Sequence, residues 1–439
     1  MRRSLVLPVL LSGTLAASTV PSLAMDKAGS ARSDRVEIEL RSILERDEIS
    51  LPSLFRIAEL TSPAIAAARI GVEAQAGRVR QAGIYANPVV GVEIEEASLD
   101  DFDNRKEKIS IAQPILVGNR RGPAVRAAAL QLEVTKDALE RTRRELRRGV
   151  HALWLEVLHE RSVESAASDL IVHAKRTHEI AEKRFRARAA PESHVTKARL
   201  ELYELELLRE RAERERERAS LQLNALLGGT VVPGERLTGS IEPLAVERDL
   251  ASLTERLIGS HPAIAEARRG VEAAGAQHRW VRAARLPDLD VHAAWGRHVA
   301  LDEAFVEAGV EVALPLFDRS QGRVEEARAR TRQAEEDARR IKGELVARLA
   351  GAHQRHRFAE SQLRAHRESI LPAAERGLEQ AHEGYRSGRL PFLELIDAQR
   401  TLTQVRIRTL DLSRELDLAT LEVSSLVGLG PYLEAGETP

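Results

Sequence analysis

Tyr385-Arg386-Ser387-Gly388-Arg389-Leu390-Pro391-Phe392-Leu393-Glu394-Leu395-Ile396-Asp397-Ala398 separates two long helical patterns. Gly388 and Pro391 break the helix between them, the one by conformational freedom, the other by lacking an N–H. Glu394 and Asp397 then fall three apart, so both carboxylates project from one face at the start of the next helix. A weaker copy lies 200 residues earlier, at Phe185 to Ala198, with Pro191 under Pro391 and Ala198 under Ala398. The chain is therefore read as two copies, each with a helical hairpin tip.

Other segments repeat in the same order. Pro63 to Ala74 reads PAIAAARIGVEA and Pro262 to Ala273 reads PAIAEARRGVEA, matching at ten of twelve positions with an offset of 199. The same offset pairs Ser53-Leu54 with Ser252-Leu253 and Pro88 with Pro287. A gapless register with both prolines in place marks an internal duplication.

Each copy begins with a helix, about Leu54 to Tyr85 in the first. The pattern after Pro88 alternates: Val90, Val92 and Ile94 between Gly91, Glu93 and Glu95, then a turn over Leu99 to Asn104, then Ile109, Ile111 and Gln113 up to Pro114. In the second copy Leu289 to Trp295 and Val306 to Leu314 alternate around a short turn at Leu301-Asp302-Glu303. These are two hairpins. One face of the last strand is wholly apolar and the other acidic or small. Four strands of about ten residues suit a membrane crossing, with lipid on the apolar face and water on the acidic one. Four strands close no barrel, and open edges are not tolerated in lipid, so the strands must pool with those of other subunits.

Long helices follow: Pro123 to about Arg188 and back over Glu192 to Leu227; then Gly322 to about Ser387 and back over Pro391 to Val427. The last carries a seam of Leu402, Val405, Leu412, Leu416, Ala419, Val423 and Leu426, with Thr409 in its one polar slot, which is heptad spacing. In each copy the two shorter helices together equal the long one, so they are expected to stack end to end alongside it. The long helix then sets a rod of about 100 Å at 1.5 Å per residue.

Composition bounds the rest. Of 439 residues, 30% are charged and only 3% aromatic, which suits long helices with narrow seams. A formal net charge of −1 gives no pull toward nucleic acid. Cysteine is absent, which excludes disulfides, thiolate chemistry and attachment of lipid to an N-terminal Cys. Arg2-Arg3, the apolar run Leu5 to Val20 and Ser22-Leu23-Ala24 read as a secretory signal cleaved near residue 24. The expected organisation is a signal peptide 1–24, an N-terminal periplasmic segment 25–50, a first repeat 51–229 with strands near 88–117, a linker 230–249 between the stacked helices, a second repeat 250–428 with strands near 287–316, and a tail 429–439.

No catalytic motif is found: there is no Gly-x-Ser-x-Gly, no phosphate loop and no His-Glu-x-x-His. The 13 histidines invite a metal reading, yet neither His353 with His356 nor His292 with His298 is completed by a third ligand in the sequence pattern. No enzyme activity, cofactor or resident metal is expected. The run Glu210 to Arg218 reads as a solvated face with charge pairs four apart.

Signal peptide, duplicated helix–hairpin–long helix–tip–helix units and the pattern Y-x-x-G-x-x-P-x-L-E-x-x-D-A together resemble the TolC-like outer membrane factors of Gram-negative efflux and secretion systems. Gln113 to Ala128 and Asn87 to Glu95 look closest to the CzcC-like branch for heavy-metal cations. The resemblance covers nearly all of residues 50–430. It implies a mainly α fold with a transmembrane β part: a homotrimer pooling four strands per protomer into a 12-stranded barrel in outer membrane lipid, and long hairpins forming a periplasmic α-barrel. The implied partners are a periplasmic membrane-fusion adaptor and an inner-membrane RND pump. The implied function is that of the passive outer membrane exit duct of a tripartite RND-type efflux system, exporting heavy-metal cations and gated at its periplasmic helical tip; a drug-efflux or type I protein-secretion duct, or a soluble periplasmic coiled-coil scaffold, are the alternatives.

Residue by residue, Glu394 and Asp397 match the pore constriction, where three copies of each set six carboxylates around a narrow pore and attract cations. An ordinary solvated helix face with acids near its N-terminus is the plainer alternative. Tyr385 matches a residue linking inner and outer helices at the gate. Ala190, Pro191 and Glu192, with Gly388, Arg389, Leu390 and Pro391, match the tips that dock the adaptor. Two departures stand out: Arg188 occupies the place of Gly388, and His194 stands where a gate carboxylate is sometimes found. The girdle residues available to the barrel are Tyr85, Phe102, Trp280, Trp295, Phe305 and Phe317.

Overall fold

The computed structural model describes residues 36–95, 105–117, 120–239 and 249–429. The signal peptide, most of the first hairpin turn with Phe102, residues 240–248 and the tail from 430 lie outside the described residues. The chain divides into two units, Met1–Asp47 and Glu48–Pro439. The described part of the first is one short helix, α1 (36–44). Everything below concerns the second.

Each repeat opens with two helices, not one. α2 (Leu51–Thr61) ends at Ser62, and α3 (Pro63–Ala82) starts with Pro63 in its first turn. The second copy repeats this as α6 (Leu250–Ser260) and α7 (Pro262–Ala283), broken at His261. A continuous helix over Leu54 to Tyr85 is thus corrected. Proline supplies no N–H and forces an extended residue before it, here Ser62 at φ −67°, ψ 122°.

α4 (Arg121–Arg186) runs 66 residues unbroken. Its interior holds no proline after Pro123 and one glycine, Gly149, whose missing side chain lets Leu226 approach: a Cβ there would lie 3.1 Å from Leu226 Cδ1. α5 (Glu192–Leu226) returns along it. The second long helix is not continuous. α8 (Gln321–Ala365) gives way to a π turn, His366–Ile370, before α9 (Leu371–Arg386). Pro372 is the cause: its ring cannot accept the regular i−4 geometry, and the wider turn absorbs the clash. α10 (Phe392–Val427) returns to Gly428, which closes the helix at φ 68°. The π turn also explains the polar slot in the α10 seam. Thr409 is buried with its hydroxyl 3.3 Å from His366 Nδ1, and Arg367 donates to Ser413 Oγ at 3.4 Å.

The shorter helices meet end to end. Thr61 Oγ1 donates to the carbonyl of Leu227 at 2.8 Å, and a side chain on Gly228 (φ 65°) would strike the Thr61 carbonyl at 2.3 Å. In the second copy Arg256 Nε donates to the Val427 carbonyl at 3.0 Å. The helices therefore form four rods: α2–α3 with α5, then α4, then α6–α7 with α10, then α8–α9. Neighbouring rods pack in that order, since α4 touches α3 and α5 on one side and α7 and α10 on the other, and α8 packs on α7 and α10. Ion pairs join the second and third rods: Arg269 to Asp137 at 2.6 Å, Arg141 to Glu266 at 2.8 Å, and Arg414 to Glu156 at 3.0 Å.

At one end the four strands form a single antiparallel sheet: β1 (Val89–Glu95), β2 (Lys106–Ile115), β3 (Leu289–His298) and β4 (Glu303–Val312), in that order. The pairing between β2 and β3, from different repeats, sets His292 opposite Ala112 and Trp295 opposite Ile109. Residues directly opposite share a face. One face carries the rows Val90–Ile111–Ala293–Ala308, Val92–Ile109–Trp295–Val306 and Ile115–Leu289–Val312. The other carries Gly91–Ser110–Ala294–Glu307, Glu93–Lys108–Gly296–Phe305 and Glu95–Lys106–His298–Glu303. Lys108 sits among acids, 3.0 Å from Glu93, 2.5 Å from Glu95 and 3.7 Å from Glu307. Phe305 lies on this polar face and covers Gly296, so it leaves the set of apolar-face aromatics; Trp295 stays in it. Trp280 lies on α7 beside Gln277, off the sheet altogether.

Candidate gate at the helical tip

Both hairpins end in the same turn. In the second, the Gly388 N–H bonds to the Tyr385 carbonyl at 3.1 Å and the Arg389 N–H to the Gly384 carbonyl at 2.8 Å, with Gly388 left-handed at φ 78°. In the first, Arg188 bonds to Phe185 at 2.9 Å and Ala189 to Arg184 at 2.8 Å, with Arg188 at φ 56°. The arginine takes the conformation glycine takes in its twin, at the cost of a left-handed non-glycine residue. Pro191 and Pro391 then start α5 and α10 from matching extended conformations. Pro191, Glu192, Gly388, Arg389, Leu390 and Pro391 are exposed, and Ala190 is half-buried.

The tips are not identical in their closure. Leu390 folds back over Gly384, where a Cβ would lie 2.5 Å from Leu390 Cδ1. Ala190 and Arg184 hold the equivalent places in the first tip. Lacking a leucine lid, Arg184 reaches across to the second hairpin. Its guanidinium lies 4.7 Å from the centre of the Tyr385 ring, and it donates to the Tyr385 carbonyl.

Tyr385 is 2% exposed and joins a core shared by both hairpins, with Ala181 and Ala198 from the first and Leu378, Phe392 and Leu395 from the second. Its hydroxyl lies 3.3 Å from His194 Nδ1, and the His194 ring stacks on Phe392 at 4.3 Å. Burial, with Lys197 and Arg184 nearby, holds His194 below the usual histidine range; burial raises the Tyr385 phenol. Tyr385, expected from the sequence pattern to link the helices of a gate, thus meets a histidine and not a carboxylate. The spacing of residues 194 and 385 could not show this; the structure does, through the packing of the two hairpins.

Glu394 and Asp397 share one exposed face of α10, opposite Leu395, Ile396 and Gln399, which are buried. Three residues further, Arg400 is taken up by the first hairpin: its Nε donates to Glu201 Oε1 at 2.6 Å, and Glu201 is buried. So the acids are left on a free face while the next base is tied down. The first tip carries His194 and Lys197 at the places equivalent to Glu394 and Asp397. At these two equivalent places, acids stand only in the second tip. Among the described residues, no three His, Asp or Glu side chains gather to hold a metal ion, and no helix is long and apolar enough to cross a membrane.

A family model described as outer membrane efflux protein matches residues 54–229 and again 253–429. The cobalt-zinc-cadmium resistance protein CzcC of Cupriavidus metallidurans is 26% identical over 368 residues, covering 83% of this chain and 86% of that protein. Among solved structures, the outer membrane protein VceC of Vibrio cholerae superposes with a TM-score of 0.72 at 19% identity, over 87% of this chain and 96% of that one. CusC, whose structures describe transmembrane channel formation, superposes with a TM-score of 0.72 at 17% identity, over 87% of this chain and 92% of that one. The two family matches fall on the two repeats, and the chain belongs to the outer membrane efflux protein family.

Proposed function

We propose that three copies of this chain close into one outer membrane exit duct for heavy-metal cations. One observation carries the assembly. A single protomer leaves four edges open on the same two sides: strand β1 and the α5 rod on one, strand β4 and the α8–α9 rod on the other. Unpaired strand edges are not viable in lipid. Leu200, Tyr203 and Leu207 form an exposed apolar stripe on the α5 rod, spaced to meet a neighbouring helix. Closure pairs β4 of one copy with β1 of the next and covers that stripe. Four strands per copy give a 12-stranded barrel with Val92, Ile109, Trp295 and Val306 toward lipid and the Glu93, Glu95, Glu303 and Glu307 side toward water.

The helices of three such protomers form a hollow rod in the periplasm. Its far end is narrowed by Glu394 and Asp397 from each copy, and six carboxylates at a constriction attract cations and repel anions. Tyr385, through His194, ties the second hairpin to the first and holds the constriction narrow. The exposed turns at Ala190, Pro191, Glu192 and at Gly388, Arg389, Leu390, Pro391 dock a membrane-fusion adaptor, which joins the duct to an RND-type pump. The duct makes no chemical change; the pump supplies energy and most of the substrate choice. The cation reading is supported by likeness to CzcC, by the free acids at the tip and by the acidic inner face of the sheet.

Deletion of the gene tests the substrate class. Tolerance to cobalt, zinc or cadmium salts is expected to fall and to return with the wild-type gene; unchanged tolerance to all three would count against the cation reading. Release of the protein from washed outer membranes by carbonate would sink the duct.

A further inference from the structure

At the helix end of the sheet lies an open cleft of about 830 Å³, walled by Tyr85, Ile115, Leu116, Arg121 and Arg126 among others. Ile115 belongs to the last row of the apolar sheet face, and both it and Leu116 are exposed. Below them the chain turns into α4, which is far too polar to enter lipid. The cleft therefore sits where lipid ends and water begins, on the helix side of the membrane.

Its charges are unusual for a chain this rich in ion pairs. Arg120 is taken by Asp288. Arg121 and Arg126 have no carboxylate partner among the described residues; Arg121 lies 4.2 Å over the exposed ring of Tyr85 instead. The matching corner of the second repeat is different. There Arg285 donates to the Arg319 carbonyl at 3.2 Å, Arg319 to the Leu316 carbonyl at 3.3 Å, and Arg323 pairs with Asp318 at 3.7 Å. Those arginines have oxygen acceptors close by, whereas Arg121 and Arg126 stand without a carboxylate among the described residues, beside an aromatic ring and an apolar wall.

This arrangement fits one class of ligand. Guanidinium groups bind phosphate oxygens in pairs, tyrosine favours the headgroup level of a bilayer, and basic pockets at that level hold anionic headgroups. We propose that Arg121, Arg126 and Tyr85 hold the headgroup phosphate of an anionic phospholipid from the leaflet nearest the helices, with its acyl chains along Ile115 and Leu116. The site rests on the reading of the sheet as the membrane-spanning part. It marks one fixed lipid per chain and sets the depth at which the barrel sits.

Native mass spectrometry of the full-length protein in detergent tests the site, with phosphatidylglycerol, phosphatidylcholine and inorganic phosphate as probes. Saturable binding of one phosphatidylglycerol per chain is expected, at least tenfold preferred over phosphatidylcholine. Arg121→Gln with Arg126→Gln is expected to weaken it roughly 25-fold, at about a factor of five per arginine. Arg126→Gln alone, at an exposed position, is expected to give roughly a fivefold loss with an unchanged melting temperature. Equal binding of the two lipids, undiminished binding by the double variant, or displacement of the lipid by inorganic phosphate alone would each overturn the site. Release of the wild-type protein from membranes by carbonate would instead remove the membrane reading on which it stands. A protein that stays in the membrane but shows no lipid preference refutes this inference only.

Discussion

His194 Nδ1 lies 3.3 Å from the hydroxyl of Tyr385, so a residue of the first hairpin holds a residue of the second at the tip. The bond joins partners 191 positions apart and is reinforced from three sides: Phe392 stacks on the histidine, Arg184 covers the tyrosine ring, and Arg184 also holds the Tyr385 carbonyl. Removing the hydroxyl by Tyr385→Phe keeps the packing and deletes the bond. A hydrogen bond of this kind contributes about 1 kcal/mol net, so single-channel recordings are expected to show open probability raised by about fivefold. An unchanged open probability would mean the bond does not hold the gate.

The same pair gives the tip a pH dependence. Burial beside Tyr385 and Phe392, then Lys197 on α5 and Arg184 on α4, all disfavour a charged His194. Its pKa in the fold is depressed, so the contact is fully present above the ordinary histidine range and is lost as pH falls below it. Open probability is expected to rise between pH 7.5 and pH 5, and His194→Gln to remove most of that rise. A variant that keeps the full pH response would place the sensor elsewhere.

The paired tips make a backbone prediction. Arg188 at φ 56° stands where Gly388 stands at φ 78°. A left-handed non-glycine residue costs about 1–2 kcal/mol, part of which glycine returns in the unfolded chain. Arg188→Gly is expected to be neutral to mildly stabilising. Gly388→Ala, with open space around its missing Cβ, is expected to destabilise by about 1 kcal/mol from backbone strain alone. Thermal melts of the two variants read the difference, and equal effects of the same sign would contradict it.

Stability in the helical part depends on pH in two opposite ways. His261 caps α7, its Nδ1 accepting the Ala263 N–H at 3.2 Å, and burial lowers it to about 4. Its contribution is complete above pH 6.5 and is lost as pH falls toward 4. Asp417 lines a cavity between α4 and α10, and burial raises it to about 7, with the Arg367 charge opposing. Its contribution is present below about pH 4 and is lost as pH rises through 7. His261→Asn, which keeps a capping acceptor, is expected to flatten the acid side of a melting-temperature profile. Asp417→Asn is expected to raise the melting temperature at pH 8 and leave it unchanged at pH 3.5. A rise of equal size at both pH values would assign its effect to packing.

Much of this fold was legible in the sequence because its signals are periodic. The repeat offset of 199, the alternation after Pro88 and the heptads of α10 fix the elements, and Gly388 with Pro391 fixes the turn. The breaks at Pro63, Pro262 and Pro372 were legible too, but a strong helical pattern on both sides concealed them. At Pro372 the chain answered with a π turn, which only the partner helix reveals, through His366 and Thr409. The tip was half legible. Glu394, Asp397 and Tyr385 stand in a recognisable pattern, whereas Arg184, His194, Phe392 and the Glu201–Arg400 pair meet only because two hairpins pack side by side. Single-sequence spacing carries no record of contacts across nearly 200 residues.

The acids of the second tip test the account most directly. Planar-bilayer recordings of the wild-type channel and of Glu394→Gln combined with Asp397→Asn isolate their charge from their size. Higher single-channel conductance and weaker block by divalent cations are expected in the double variant. Unchanged conductance together with unchanged block would show that Glu394 and Asp397 do not form the constriction.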